Sequence, residues 1–416
     1  MTLPSPSRRT ILQKALLLAL ARGLGNAAIA PARALTKGPK YHWFGYYDKL
    51  QFDPTSRYVL GMEVGFQHRS PTPDDEIRIG VIDTAKGDRW LDIGSSRAWN
   101  WQQGCMLQWL PGSKSEVVWN DRQDGRFISV VCDIHSGKRR VLEAPIYALS
   151  PDGKLAIYPD FRRLNDCRPG YGYAGLPDPN RDVPIPDDAG IWRLDTQSGQ
   201  TKLVIPFSEA ARVPFPGGYS KGAKHWFNHL LFNQVSSRFI FLHRWRGEKE
   251  GTGFSTRMFT ADGDGKNLFV LDPYGKTSHF IWRDPKHVLA WAWHPSHQNA
   301  FYLYEDRSEA VKVIGKNVLT ENGHCTYLPG NRIILNDTYP DKERNQHVYL
   351  YDIGTGQKRP LGTFHSPMEY SGEWRCDTHP RFSPDGRKVV IDSPHGGNGR
   401  QMYLLDLDPV LDRPPG

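Results

Sequence analysis

Near its C-terminal end the chain reads WRCDTHPRFSPDGRKVVIDS, residues 374–393. The turn signal SPDGR separates two short strand-like runs, as in a hairpin. Yet the first run opens with Cys376, Asp377 and His379, groups that ligate metals or titrate. With His324 and His279 upstream, Cys376 and His379 supply a thiolate and imidazoles suited to zinc or another borderline metal. Asp377 or Cys325 would complete or orient such a site. These candidates are scattered over a hundred residues, so the chemistry needs a fold that returns the chain repeatedly to one place.

The sequence contains such a repeat. His379-Pro-Arg-Phe382 precedes a turn and an apolar run, and the same spacing recurs at His324-Cys-Thr-Tyr327, His279-Phe-Ile-Trp282 and His229-Leu-Leu-Phe232. Three further units keep the register without histidine, starting at Lys49, Met106 and Ile146. Several units end in a DxxxG turn: VIDTAKG, VCDIHSG, RLDTQSG and LYDIGTG. Seven units of four short strands predict an all-β, seven-bladed propeller of antiparallel blades. It is expected to span 35–416 as one domain, with a loop-rich insertion at about 161–190. In a propeller the first strand of each blade lines the central channel, so His229, His279, His324 and His379 aim at one funnel. Each could also be a satisfied histidine within a structural repeat.

Residues 1–34 stand apart. Ser7-Arg8-Arg9-Thr10-Ile11-Leu12, an apolar run and the small-x-small end Ala32-Arg33-Ala34 read as a twin-arginine export signal. The apolar run is too short to span a bilayer. This leader predicts a periplasmic or secreted protein with no membrane span in its mature form. The segment holds five Lys/Arg and no acid, so the chain's net charge of +8 falls to +3 without it. A nucleic-acid partner therefore loses its electrostatic basis. Five widely spaced cysteines do not form a dense disulfide framework.

Other rim positions follow from the same register. Starts of first strands offer His42, Tyr147, His225 and Asn228; ends of second strands offer His68, Arg162, Arg163, His243 and Arg244. Trp43, Tyr46, Trp99, Trp226 and Trp245 accompany them. A concave site rich in Arg, His, Tyr and aromatic rings suits an anionic sugar polymer, whose rings stack and whose carboxylates or sulfates pair with guanidinium. Gly218-Tyr-Ser220-Lys-Gly222 matches G-x-S-x-G but lies in a Gly/Pro-rich connector without a strand–elbow–helix context. Asp262-Gly-Asp264-Gly lacks the glutamate of a calcium loop.

HWFGYYDKLQFDP, DFRRLNDCRPGYGYAG, HWFNHLLFN and CDTHPRFSPDGRKVVIDS together resemble seven-bladed propeller polysaccharide lyases, nearest to ulvan lyases and more distantly to oligogalacturonate lyases. The resemblance implies β-elimination at a uronic acid. Arg163 would neutralise the carboxylate, and Tyr147 with His68, and His42 or His225 assisting, would move protons. His229, Asn228, Arg244, Trp99 and Tyr173 would line the sugar subsites, with Tyr171 and Tyr173 as competing tyrosines. In oligogalacturonate lyases histidines hold a divalent metal at the substrate carboxylate, and His324 and His379 resemble part of that set. The thiol of Cys376 departs from it and favours zinc. The expected protein is a monomeric lyase of an acidic, uronic-acid-containing polysaccharide. The alternative is a non-catalytic propeller that binds glycan or protein.

Overall fold

The computed structural model describes residues 30–247 and 253–412. Its sheets are seven four-stranded antiparallel blades, arranged as a propeller. Each repeat unit becomes one blade. The predicted anchors at 106, 279, 324 and 379 stand just before the inner strands Gln108–Trp109, Phe280–Trp282, Thr326–Tyr327 and Arg381–Phe382. The DxxxG segments are the turns into the outermost strands. In one of them the Asp352 carboxylate accepts from the backbone of Gly354 and Thr355 while Gly356 N donates to Asp352 O.

Strands buried on both faces build the core. In Lys388–Ser393 of the last blade, the run VVIDS is buried throughout and packs between neighbouring sheets. Sheet-on-sheet packing of this kind buries both faces, so propeller strands read as near-continuous apolar runs.

Two departures from regular blades position the chemistry. In the first blade the inner strand Tyr41–Trp43 stops, and the chain loops out before re-pairing at Phe52 with Val59. Gly45, at φ +105°, makes this excursion possible, because a Cβ there would lie 2.9 Å from the backbone of Gln103. The loop carries Tyr46 and Tyr47 to the axis. In the third blade, the predicted insertion leaves strand Leu155–Pro159, forms the helix Phe161–Cys167 and returns at strand Gly190–Asp195. It folds across the funnel.

The ring is closed by both ends of the chain. Ala32–Ala34 forms the outer strand of the seventh blade, pairing with Leu405, Leu404 and Tyr403. Ala30 N donates to Leu361 O, and Arg33 pairs with Asp88. The propeller thus begins at least at Ala30, inside the segment that the sequence assigns to the leader. The twin-arginine motif itself lies outside the described residues.

This closure gives a stability prediction. Deleting residues 1–34 removes an entire edge strand and bares the 401–406 strand, so thermal unfolding should shift down by several degrees relative to a chain starting at Ala30. Differential scanning calorimetry of the two forms checks this; equal midpoints would show that the strand does not secure the ring.

Candidate functional site

Four histidines from successive blades meet at the axis. Ring centroids lie 6.4 Å apart for His229 and His279, 4.2 Å for His279 and His324, and 4.2 Å for His324 and His379. His229 and His379 hold positive φ values of 52° and 40°, a conformation that side chains other than glycine seldom adopt. Strain of this kind persists where the surroundings over-determine it, commonly at functional sites. Here it turns two anchor side chains from the sheet toward the channel.

Ligand atoms of His324, Asp377 and His379 gather within 4.8 Å of one another. Asp337 accepts from His324 Nδ1 at 2.9 Å, which fixes the ring proton there and leaves the Nε2 lone pair facing the group. Burial alone would raise the Asp337 carboxyl, but His324 and Thr378 bring it below the ordinary range, so it stays charged. His324 Nε2 and His379 Nε2 are buried without hydrogen-bond partners. Two orphaned imidazole nitrogens beside a carboxylate fit a divalent cation. His279 flanks the group, its Nδ1 3.0 Å from Asn322 and its Nε2 3.5 Å from the Tyr339 hydroxyl.

The expected ligand Cys376 falls outside this group. Burial pushes its thiol up to about 12, so it remains protonated and apolar. All five cysteines are free and buried. The thiolate argument for zinc goes with it: the donors are nitrogen and oxygen, a set that suits several divalent metals.

Beside the metal-capable group stands a buried tyrosine–histidine pair. Gln103 Nε2 donates to the Tyr147 hydroxyl at 2.7 Å and lies 3.4 Å from His229 Nδ1, while Tyr46 OH is 3.2 Å from His229 Nε2. Tyr147 OH is itself 3.4 Å from His229 Nδ1. Burial, followed by the Arg244 charge, holds His229 well below the usual imidazole range, so it is neutral. Burial and then Asp48 hold Tyr147 well above the usual phenol range, so it keeps its proton. Asn228 is buried, and its Oδ1 accepts from the backbone N–H of His229 at 2.8 Å.

Arg244 is the cation at this site. It is 5% exposed and forms no ion pair or side-chain hydrogen bond among the described residues. Burial, then the neighbouring Arg168, lowers it to about 10. Arg163, the expected neutraliser, is committed elsewhere. At 1% exposure it donates to His225 O, Asn180 O and Pro184 O at 2.7–2.9 Å and pairs with Asp178 at 3.2 Å. It is the clamp that fastens the insertion to the fourth blade.

Several other expected site residues are also structural. His42 bridges Gln401 and Glu63 between the seventh and first blades. His68 is exposed and meets Tyr370 edge-on. Trp99 donates to Asp75 O and packs against Trp43 and Trp101. Tyr173 is buried, stacked on Phe161 and bonded to Asn120. His225 lies 2.7 Å from His243 Nε2, and Arg257 Nε is 3.3 Å from the other nitrogen of His243.

The sequence reasoning left out Arg168, Arg375, Gln103, Asp337 and Tyr47 as functional positions. Arg375 donates to Asp377 and to the Tyr171 hydroxyl, both at 2.7 Å, joining the last blade to the insertion above the metal-capable group. Tyr47 exchanges hydrogen bonds with the backbone of Phe280, and its ring faces His279 and His324. The FGYYDK excursion, an anomalous interruption of the repeat, was the one signal that pointed to it.

No protein-family model and no curated protein matches the chain. Solved structures do. An oligogalacturonate lyase in complex with manganese superposes with a TM-score of 0.66 at 14% identity, covering 91% of this chain and 93% of that one. Oligogalacturonate lyase from Vibrio parahaemolyticus gives 0.64 at 10%, covering 91% and 94%. The propeller domain of the Trilobed protease from Pyrococcus furiosus gives 0.50 at 10%, covering 88% and 95%. At these identities the likeness is one of fold.

Burial of neutral histidines makes the fold acid-sensitive. His225 is held down to about 3 by burial and then by Arg257 and Arg163, against about 6.5 in an unfolded chain. The unfolded state therefore takes up protons first as pH falls, and the folded state loses stability below about pH 6.5. From His225 alone the loss should reach on the order of 2 kcal/mol by about pH 5. Denaturant unfolding of the parent and His225→Gln at the two pH values would check this; an equal drop in both would remove His225 as a contributor.

Proposed function

We propose that this protein is a polysaccharide lyase that cleaves a uronic-acid-containing substrate by β-elimination. One observation carries this: Arg244, a buried arginine without an acid partner among the described residues, exerts its charge on a neutral His229 and a protonated Tyr147. Elimination needs these three roles. Arg244 pairs with the uronate carboxylate, which favours the enolate-like charge that develops there. His229 takes the C5 proton, the C–H electrons form the C4–C5 double bond, and the C4–O4 bond breaks. Tyr147 gives its proton to the departing O4. A positioned base and acid of this kind contribute roughly 10²–10⁴-fold each.

His324, Asp377 and His379 would hold a divalent metal, zinc or manganese, with His279 alongside. Such an ion supplies Lewis-acid stabilisation of the carboxylate charge. Asp337 holds His324 in the ligating tautomer and Arg375 holds Asp377 in place. The candidate substrates are polygalacturonate-type chains and ulvan, and the fold shared with oligogalacturonate lyases supports the uronate class. The leader-like residues 1–34 support export to the periplasm or beyond. No helix among the described residues is long and apolar enough to cross a membrane. We take the acting form to be a monomer.

The test is ultraviolet absorbance of the unsaturated uronyl product on oligogalacturonates, polygalacturonate, ulvan, alginate and glycosaminoglycans. A rise on one substrate class is expected, with His229→Ala, Tyr147→Phe and Arg244→Ala each lowering kcat/KM by at least about 10²-fold in folded protein. Arg163→Lys should act differently, loosening the insertion and lowering thermal stability. Flat traces on every polymer, with and without added divalent metal, would leave a glycan- or protein-binding propeller instead.

Metal dependence gives a separate check. Chelation should abolish turnover, and His324→Ala should lower the stoichiometry of bound manganese or zinc measured by mass spectrometry. Full activity in chelated, metal-free protein would remove the ion from the scheme.

A further inference from the structure

We propose that the funnel reads two negative charges, through Arg168 and Arg244 together, so that its preferred ligand carries a second anionic group beside the reacting uronate. The inference rests on the lyase reading for the identity of the first group and on separate residues for the second.

Arg244 comes from the second strand of the fourth blade, Arg238–Arg246. Arg168 comes from the insertion, at the end of the helix Phe161–Cys167. Both guanidinium groups lie over the ring of Phe254, at 4.5 Å for Arg168 and 4.9 Å for Arg244. Two cations brought together in a part-buried place repel, and such pairs normally gather around a carboxylate. Among the described residues no carboxylate pairs with either guanidinium. Neither side chain has an ion pair or a hydrogen bond among the described residues, and the Nε of each is buried without a partner.

The other buried arginines among the described residues all have hydrogen-bond partners, although the Nε of Arg400 lacks one. Arg381 pairs with Asp392, Arg238 with Asp262 and Asp306, and Arg257 donates to carbonyls of Ala210, Val213 and Pro214. The contrast sets Arg168 and Arg244 apart. The ring of Phe254 offsets part of the desolvation through cation–π attraction but accepts no N–H hydrogen bond in the plane of the fork. The helix end favours a cation at 168 without supplying an acceptor for its Nε. Unmade donors of this kind cost free energy until a ligand brings oxygen atoms to them.

The pair also borders the reacting groups. The Arg168 guanidinium lies 5.2 Å from the Tyr171 ring, and that ring meets His229 edge-on at 5.7 Å. A ligand whose uronate lies at His229 and Tyr147 therefore presents its next substituent to Arg168. The shared chemistry is an oxyanion, either the carboxylate of an adjoining uronate or a sulfate ester on an adjoining sugar. The insertion thereby acts as a specificity element, because it delivers the second cation.

Isothermal titration calorimetry on a Tyr147→Phe background separates binding from turnover. The probes are digalacturonate, its monomethyl ester, and a sulfated uronyl–rhamnose disaccharide. At least one dianion should bind tenfold or more tightly than the monoanionic ester, and the better dianion identifies the second group. Arg168→Ala and Arg168→Gln should collapse that gap while leaving the ester's affinity within about twofold, and Arg168→Lys should keep most of it. A gap that survives both neutral substitutions, no gap in the parent, or no binding of any probe would overturn the inference. Discrimination without any unsaturated product from the unsubstituted protein would instead overturn the lyase reading and leave this one standing.

Discussion

One carboxylate, Asp337, ties the site to the fold. It sits in the sixth blade just beyond the strand Ile333–Asn336 and is fully buried. It accepts from the backbone and Nδ1 of His324, at 2.7 and 2.9 Å, from the Thr378 hydroxyl at 2.5 Å and from the backbone of His379 at 3.2 Å. A buried charge is tolerated only with donors of this number. In return it orients the imidazole of His324 and, through the backbone N–H, braces His379 in its left-handed conformation. The blade junction and the metal-capable group are therefore one structure, and a neutral residue at 337 would disturb both.

Hydrogen-bond partners also separate the arginines. Arg163 and Arg244 are both buried and both close to the fourth blade, yet among the described residues Arg163 has four acceptors and the Arg244 side chain has none. Charge alone marks both as candidates for carboxylate binding; hydrogen-bond satisfaction divides them into a fastener and a free cation. His42 and His229 divide the same way. His42 is held between Gln401 and Glu63, whereas His229 shares its nitrogens with a tyrosine pair and an amide in the channel.

The repeat was legible because each blade restates the same physical problem, an inner strand after a sharp approach and a capped outer turn. That put His229, His279, His324, His379 and Tyr147 on the axis from spacing alone. The partners of those residues were not legible. Asp337 lies thirteen residues after His324 in a strand-end context that resembles any other aspartate. Arg375 and Tyr171 are two hundred residues apart and meet only because the insertion folds back. His68, Trp99 and Tyr173 share the residue types of the site but are turned outward or into the core by the pleat and by local packing. Cys376 misled for a different reason: its neighbour Asp377, one residue along an extended chain, faces the opposite way and takes the position among the ligands.

The strand Ala32–Ala34 also bears on how the molecule is made. It is synthesised long before its partner strand Gln401–Asp406. The ring cannot close until the strand Gln401–Asp406 has been made, and the closure entropy of the long intervening loop is repaid only in that step. The seventh blade is assembled from both ends, and it holds Asp377 and His379 next to Asp337 of the sixth. Closure of the ring and completion of the metal-capable group thus coincide, so a chain cut before the seventh blade would lack the site along with the seam.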